Sequence, residues 1–325
     1  MASALNLNST TGAYLIGVFF EIWLFGFTSL QAWYYVQHYP SDPFRLKGLV
    51  ALIWCLECLH AAFSCHAAYY WLVLNYLNPE ALNVSVWSAD SALIIAGVLV
   101  FVTHCFFCYR VWAVSGRTYI MPGIIFFLAL ASFGLDWAVF VLSVREKTFS
   151  GFGHAIQVTS SAGLAFKVAT DTTIAGSLGF FLHRSKSGIQ STDHLVNKLT
   201  FYAINIGCLT SIIDILVLAW SEATSNLIFL ALYTVVGNLY SNSLLATLNI
   251  RQYARSQVLA EDGTSLQLAS MKFSDGVRTT MPGSVTVFQS ESRGTIPDLP
   301  GGPVFRKGSF TKTKEISTDT ETVTA

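Results

Sequence analysis

The sequence is poor in charge. Only 12% of its 325 residues are Asp, Glu, Lys or Arg and 53% are hydrophobic, where a typical soluble domain carries about 25% charged residues. That deficit excludes an ordinary water-soluble fold and makes lipid the expected solvent for most of the chain. Nineteen basic residues balance nineteen acidic ones, so no overall basic field points to nucleic acid. Loop cysteines are also missing. Cys55, Cys58, Cys65, Cys105, Cys108 and Cys208 all lie in apolar runs, which excludes a disulfide framework. Cys55 and Cys58 form a lone C-x-x-C without a second pair, and packing is the better reading. The N-terminus lacks a basic n-region and its first apolar run is too long for a cleaved signal, so it reads as a signal anchor. The histidines and carboxylates show no hydrolase or metal spacing, so neither catalysis nor a cofactor is expected.

What the chain has in abundance is long apolar runs. A spanning helix needs about 20 mostly apolar residues, and seven stretches qualify: 13–35, 48–75, 86–112, 120–144, 156–182, 199–220 and 227–249. The expected fold is all-α, a polytopic seven-transmembrane-helix bundle. Lys and Arg set its orientation. With the N-terminus outside, Arg45, Lys47, Arg110, Arg117, Arg184, Lys186, Lys198, Arg251 and Arg255 fall inside, and only Arg145 and Lys147 fall outside. The C-terminus is then cytoplasmic. Trp33, Tyr34 and Tyr35 mark an inner boundary; Tyr69, Tyr70, Trp71, Trp87 and Trp220 mark outer ones, at the headgroup depth such rings favour.

Three regions follow: a short extracellular N-terminus (1–11), a membrane domain (12–255) and a tail (256–325). The tail is rich in Ser, Thr, Gly and Pro, without hydrophobic period. It cannot bury enough apolar surface to offset its ordering entropy, so it is expected to be disordered. Within it, Arg306-Lys307-Gly308-Ser309 places two cations before a serine, which makes Ser309 a phosphorylation candidate. Asn8-Ser9-Thr10 and Asn83-Val84-Ser85 match the glycosylation pattern but lie close to the membrane. Thr192-Asp193 reads as an N-cap for the sixth helix.

Four stretches carry a resemblance. They are Cys58-Leu59-His60-Ala61-Ala62-Phe63 with His66 and Tyr69; Phe106 to Trp112; Leu182-His183-Arg184-Ser185 with Thr192-Asp193, Asn197 and Tyr202 to Gly207; and Leu239 to Asn249. In this order they resemble a family of fungal seven-helix integral membrane proteins, abundant in mushroom-forming fungi, whose domain has no assigned function. The resemblance covers roughly residues 12 to 255. It implies fold and membrane location, and no activity.

Ionisable residues inside a membrane are costly and therefore functional candidates. Glu21, Asp136, Lys167, Asp171 and Asp214 fall in the spans, and Lys167 is the one cation deep in a run. A buried ammonium needs a counter-ion. Asp171, one turn further along the same face, is one option; Asp136, Glu21 and Asp214 are the others. The functional reading is a polar ligand pocket opening outward. The alternative is a structural ion-pair network, with Lys167 snorkelling to the surface. Glu57 and His60 have the i, i+3 spacing of a carboxylate–histidine metal motif, but the second motif is missing, and structural hydrogen bonding is preferred. His104 and Cys108, at i and i+4, read as packing. In the last run Thr234, Asn238, Ser241, Asn242 and Asn249 fall within an arc of about 80°. With Glu57, His60 and Asn205 this arc is expected to form an interhelical polar network.

Function is read as a receptor-like sensor of an unknown small ligand, with a cytoplasmic signalling partner met through the tail. A solute or proton-coupled transporter is the alternative. Tyr109-Arg110 loosely matches the inner-end arginine of G-protein-coupled receptors, but no acid precedes it. The last run holds no lysine for retinal. A plasma-membrane location is expected.

Overall fold

Five long helices succeed one another: α1 Thr11–His38, α2 Phe44–Tyr69, α3 Trp87–Val114, α4 Ile120–Glu146 and α5 His154–Arg184. This computed structural model describes residues 11–76, 78, 80–149, 154–184, 210–217, 219 and 229–251, with the backbone alone at 182 and 183. All of them belong to one unit, Met1–Ser274. Residues 210–217 (here α6) and 229–251 (here α7) are also helical. Asn205, Thr192-Asp193, Lys186, Lys198 and Ser309, with the whole expected tail, lie outside the described residues.

The connections set an up-and-down order. Pro43 caps α2 in an extended conformation, and its ring cannot continue a helix backwards. Gly116 (φ 69°) and Arg117 (φ 65°) take the left-handed conformation between α3 and α4, where glycine costs least. Lys147 (φ 57°) ends α4 the same way. Pro122 sits in the first turn of α4, where a missing N–H leaves no bond unmade. At one end of the bundle, the Ser85 N–H donates to Lys147 O at 2.8 Å. At the other end, the Tyr39 phenol donates to Asn249 O at 2.7 Å. The turn between α1 and α2 therefore shares an end with the close of α7.

The helices are inside out by the standards of a soluble protein. On α1, Phe19, Trp23, Leu30 and Trp33 are exposed, while Glu21 and Thr28 are wholly buried. On α4, Phe126, Phe127, Leu130 and Trp137 are exposed and Ser132 is buried. An apolar exterior over a polar interior is the arrangement that hydrocarbon demands. α1, Phe44–Leu74, α3 and α4 are each long and apolar enough to cross a membrane, and they mark the chain as a membrane protein. α5 has the length, but Lys167, Asp171 and a series of hydroxyls dilute its apolar character. Only 210–217 and 219 of the expected sixth run are described.

Small residues bring α7 into the bundle. A Cβ on Gly17 would lie 2.7 Å from the Ala231 carbonyl oxygen, so α1 and α7 touch backbone to backbone there. Tyr14, Val18, Trp71, Val86 and Leu230 pack around this end. Tyr35, Ile53, Leu99, Leu244 and Leu248 fill the opposite end.

Candidate functional site

Apart from Asp90, which accepts from Ser85 and Ser143 at the start of α3, the buried acids gather in two clusters, and the larger is built on α5. Lys167 is 1% exposed and does not snorkel to the surface. Its ammonium donates to Asp136 Oδ1 on α4 and to the Tyr233 phenol on α7, each at 2.9 Å. Tyr233 in turn donates to the same Asp136 oxygen at 3.2 Å, and Lys167 lies 4.7 Å from its ring centroid. Gly97 on α3 makes room for the pair. A Cβ there would come within 3.0 Å of Asp136 Oδ2.

Asp171, one turn along α5, does not pair with Lys167. His104 Nε2 on α3 lies 3.0 Å from Asp171 Oδ1. Thr210 of α6 donates to Oδ2 at 2.8 Å, and Tyr240 of α7 donates to Oδ2 at 2.6 Å. The Tyr240 phenol also lies 2.9 Å from Asp214 Oδ2. A phenol has one proton, so it can serve only one of these acids at a time. Three carboxyls share this interior with one ammonium and one imidazole. The packing reading of His104 with Cys108 gives way here. His104 turns to Asp171, while the Cys108 thiol donates to Pro122 O at 3.2 Å.

Glu21, expected beside Lys167, stands in the second cluster, between α1, α2 and α7. His60 Nδ1 lies 3.0 Å from Glu21 Oε1 and 3.4 Å from Asn238 Nδ2. The Glu21 contact has ion-pair distance without hydrogen-bond geometry. Glu57, also wholly buried, has Ser241 as a polar neighbour, but the Ser241 hydroxyl donates to Gly237 O and neither Glu57 oxygen has a bond of proper geometry. The expected hydrogen bonding of Glu57 is therefore not made, while His60 reaches Asn238. The polar arc of α7 faces inward as expected. Asn242 donates to Leu24 O at 3.2 Å and Asn249 to Gln31 O at 2.8 Å, both on α1. Among the described residues no three His, Cys, Asp or Glu side chains converge as a metal site.

Thr210, Tyr233 and Tyr240 are the residues that sequence reasoning missed, and His104 is one it misread. Tyr233 and Tyr240 stand seven apart, two helical turns, so a second polar stripe on α7 was there to be read.

At the end formed by the α1–α2 turn, Arg251 donates to Asp42 Oδ2 at 2.6 Å, and Tyr35 donates to the same oxygen at 2.7 Å. Burial pushes the Asp42 carboxyl up, but the bonds from Arg251 and Tyr35, with the charges of Arg251 and Lys47, outweigh it and hold the group below its ordinary range. Beside this turn a cavity of about 570 Å³ opens between α1 and α2, walled by Ala32, Trp33, Val36, Val50 and Trp54, with Lys47 and Pro40 at its edge.

Residues 167–253 match a family of unknown function (DUF6534). The match opens on Lys167 and takes in Asp171, Asp214, Tyr233, Asn238, Tyr240 and Arg251. It is narrower than the resemblance over 12–255 and leaves out Asp136, His104 and the α1–α2 half of the second cluster. No curated protein and no solved structure matches the chain.

Proposed function

We propose that the protein is a receptor-like sensor of a small ligand, spanning the plasma membrane seven times with its N-terminus outside, and that it is not an enzyme. The observation that carries this reading is the sealed Lys167 ammonium, held between α4, α5 and α7 by Asp136 and Tyr233. On this reading the ammonium exchanges Asp136 for Asp214, the acid that shares this interior through the Tyr240 phenol. Two alternative pairings of one buried cation make a two-state element. A ligand that favours one pairing shifts the population by its difference in affinity for the two states. The signal would leave through a cytoplasmic partner of the 256–325 tail.

The second reading, a proton-coupled carrier, draws on the buried acids Glu21 and Glu57 on α1 and α2 and on the His60 imidazole 3.0 Å from Glu21. One experiment separates the two. Purified full-length protein is screened against small polar compounds by thermal stabilisation, with Lys167→Met as the counter-screen. The sensor reading expects a compound that raises the unfolding temperature of the unmodified chain alone and moves no solute in proteoliposomes. Compound-dependent, proton-linked flux would replace it with the carrier.

A further inference from the structure

The cavity between α1 and α2 has no part in either charge cluster. Its walls are apolar, and on α1 Trp33 and Val36 are open to the surroundings at 65% and 66% exposure, as is Trp54 on α2 at 42%. On a membrane protein such a groove faces hydrocarbon, and lipid fills it. Lys47 stands at the edge, where its ammonium donates to Pro40 O at 2.6 Å. That bond fixes the cation over the mouth and uses one of its three donors. Asp42, the acid nearest in sequence, takes its hydrogen bonds from Arg251 and Tyr35, so the remaining donors of Lys47 are not spent on it. The Trp54 indole donates to Ser29 Oγ at 3.2 Å, which holds one wall in place.

We propose that this groove is a binding site for an anionic glycerophospholipid. One acyl chain lies against Trp33, Val36, Val50, Ala51 and Trp54, and Lys47 faces the headgroup, whose net negative charge, which a choline lipid cancels, sets the preference. A cavity of about 570 Å³ lies within the range of about 300–1,000 Å³ typical of small-molecule sites. A basic residue at headgroup depth beside an apolar slot is the chemistry by which proteins select anionic over zwitterionic lipid. The inference rests on the chain being embedded in a bilayer and not on the sensor reading.

The test uses full-length protein in mild detergent with dioleoyl-phosphatidylserine or dioleoyl-phosphatidylcholine at equal concentration, read by native mass spectrometry. Phosphatidylserine should be retained about tenfold over phosphatidylcholine. Lys47→Gln should bring the ratio near one while chain binding persists, and Ala51→Trp, which fills the slot, should lower retention of both. Lys147→Gln, at the opposite end, should change nothing. A second measurement needs no variant: brominated phosphatidylserine should quench indole fluorescence at lower mole fraction than brominated phosphatidylcholine. Equal retention of the two lipids by the unmodified protein would overturn the proposal. So would a serine-headgroup preference that survives Lys47→Gln, or displacement of both phospholipids by a sterol.

Discussion

Asp42 and Arg251 stand 209 positions apart in the chain and meet at 2.6 Å. Arg251 also lies over the ring of Tyr39, 4.7 Å from its centroid, and Tyr39 stacks on Tyr35. One small contact thus ties the first turn to the end of the last described helix. Because the folded Asp42 carboxyl is held below its unfolded value, the contribution is present above the unfolded value, near pH 4. It is lost as pH falls through the lower folded value. Arg251 is 31% exposed at its side chain, so water weakens the pair and about 1 kcal/mol is the expected scale. Thermal unfolding should therefore show Arg251→Ala less stable than the unmodified protein at pH 7, with the gap closing as pH falls from near 4 through the lowered folded value of Asp42. A deficit that persists unchanged into acid would assign the role of Arg251 to packing on Tyr39.

Tyr240 bridges two acids, and Tyr240→Phe should expose that dependence. The substitution keeps the ring against His104, which it meets edge-on at 5.4 Å, and removes the bonds to Asp171 and Asp214. Leaving buried acceptors unsatisfied costs about 1–3 kcal/mol. The unfolding temperature should fall, and Asp214→Asn in the same background should recover part of the loss by removing the neighbouring charge. Full tolerance of Tyr240→Phe would mean that the acids are served by other donors.

Asn238 and Asn242 anchor the polar arc of α7 against α1 and α2. Asn238→Leu with Asn242→Leu removes the bond to Leu24 O and crowds His60. Interhelical hydrogen bonds in membranes average about 0.6 kcal/mol, so crowding should supply most of a clear drop in detergent stability. Phe19→Leu with Phe20→Leu, on the exposed face of α1, should be tolerated. Equal tolerance of both pairs would turn the arc of α7 away from the interior.

The apolar runs were legible because a hydrocarbon solvent requires long uninterrupted stretches, and the first four reappear as helices within a few residues of the expected limits. The inward arc of α7 was legible for the same reason, since helical period alone gathers Thr234, Asn238 and Ser241, all now buried. Charge partners were not. Asp171 shares a face with Lys167 four residues away, yet Lys167 bonds Asp136, 31 positions upstream. Glu21 pairs with His60 rather than Lys167. Partner choice depends on how neighbouring helices are rotated, and that is set by packing such as Gly97 against Asp136 and Gly17 against Ala231, which no local pattern announces. His104 was misread because its i+4 neighbour Cys108 is local and its true partner is not.

Lys167 and Asp136 form one buried unit, and a double-mutant cycle read by thermal unfolding of purified full-length protein measures their coupling. Removing one member of a buried pair leaves an uncompensated charge, at a cost of about 3–5 kcal/mol, while replacing both with apolar residues of similar volume is often neutral. Lys167→Met and Asp136→Leu should each destabilise strongly, and the double variant should return most of the way to the unmodified protein. Independent, additive losses in the double variant would contradict the account.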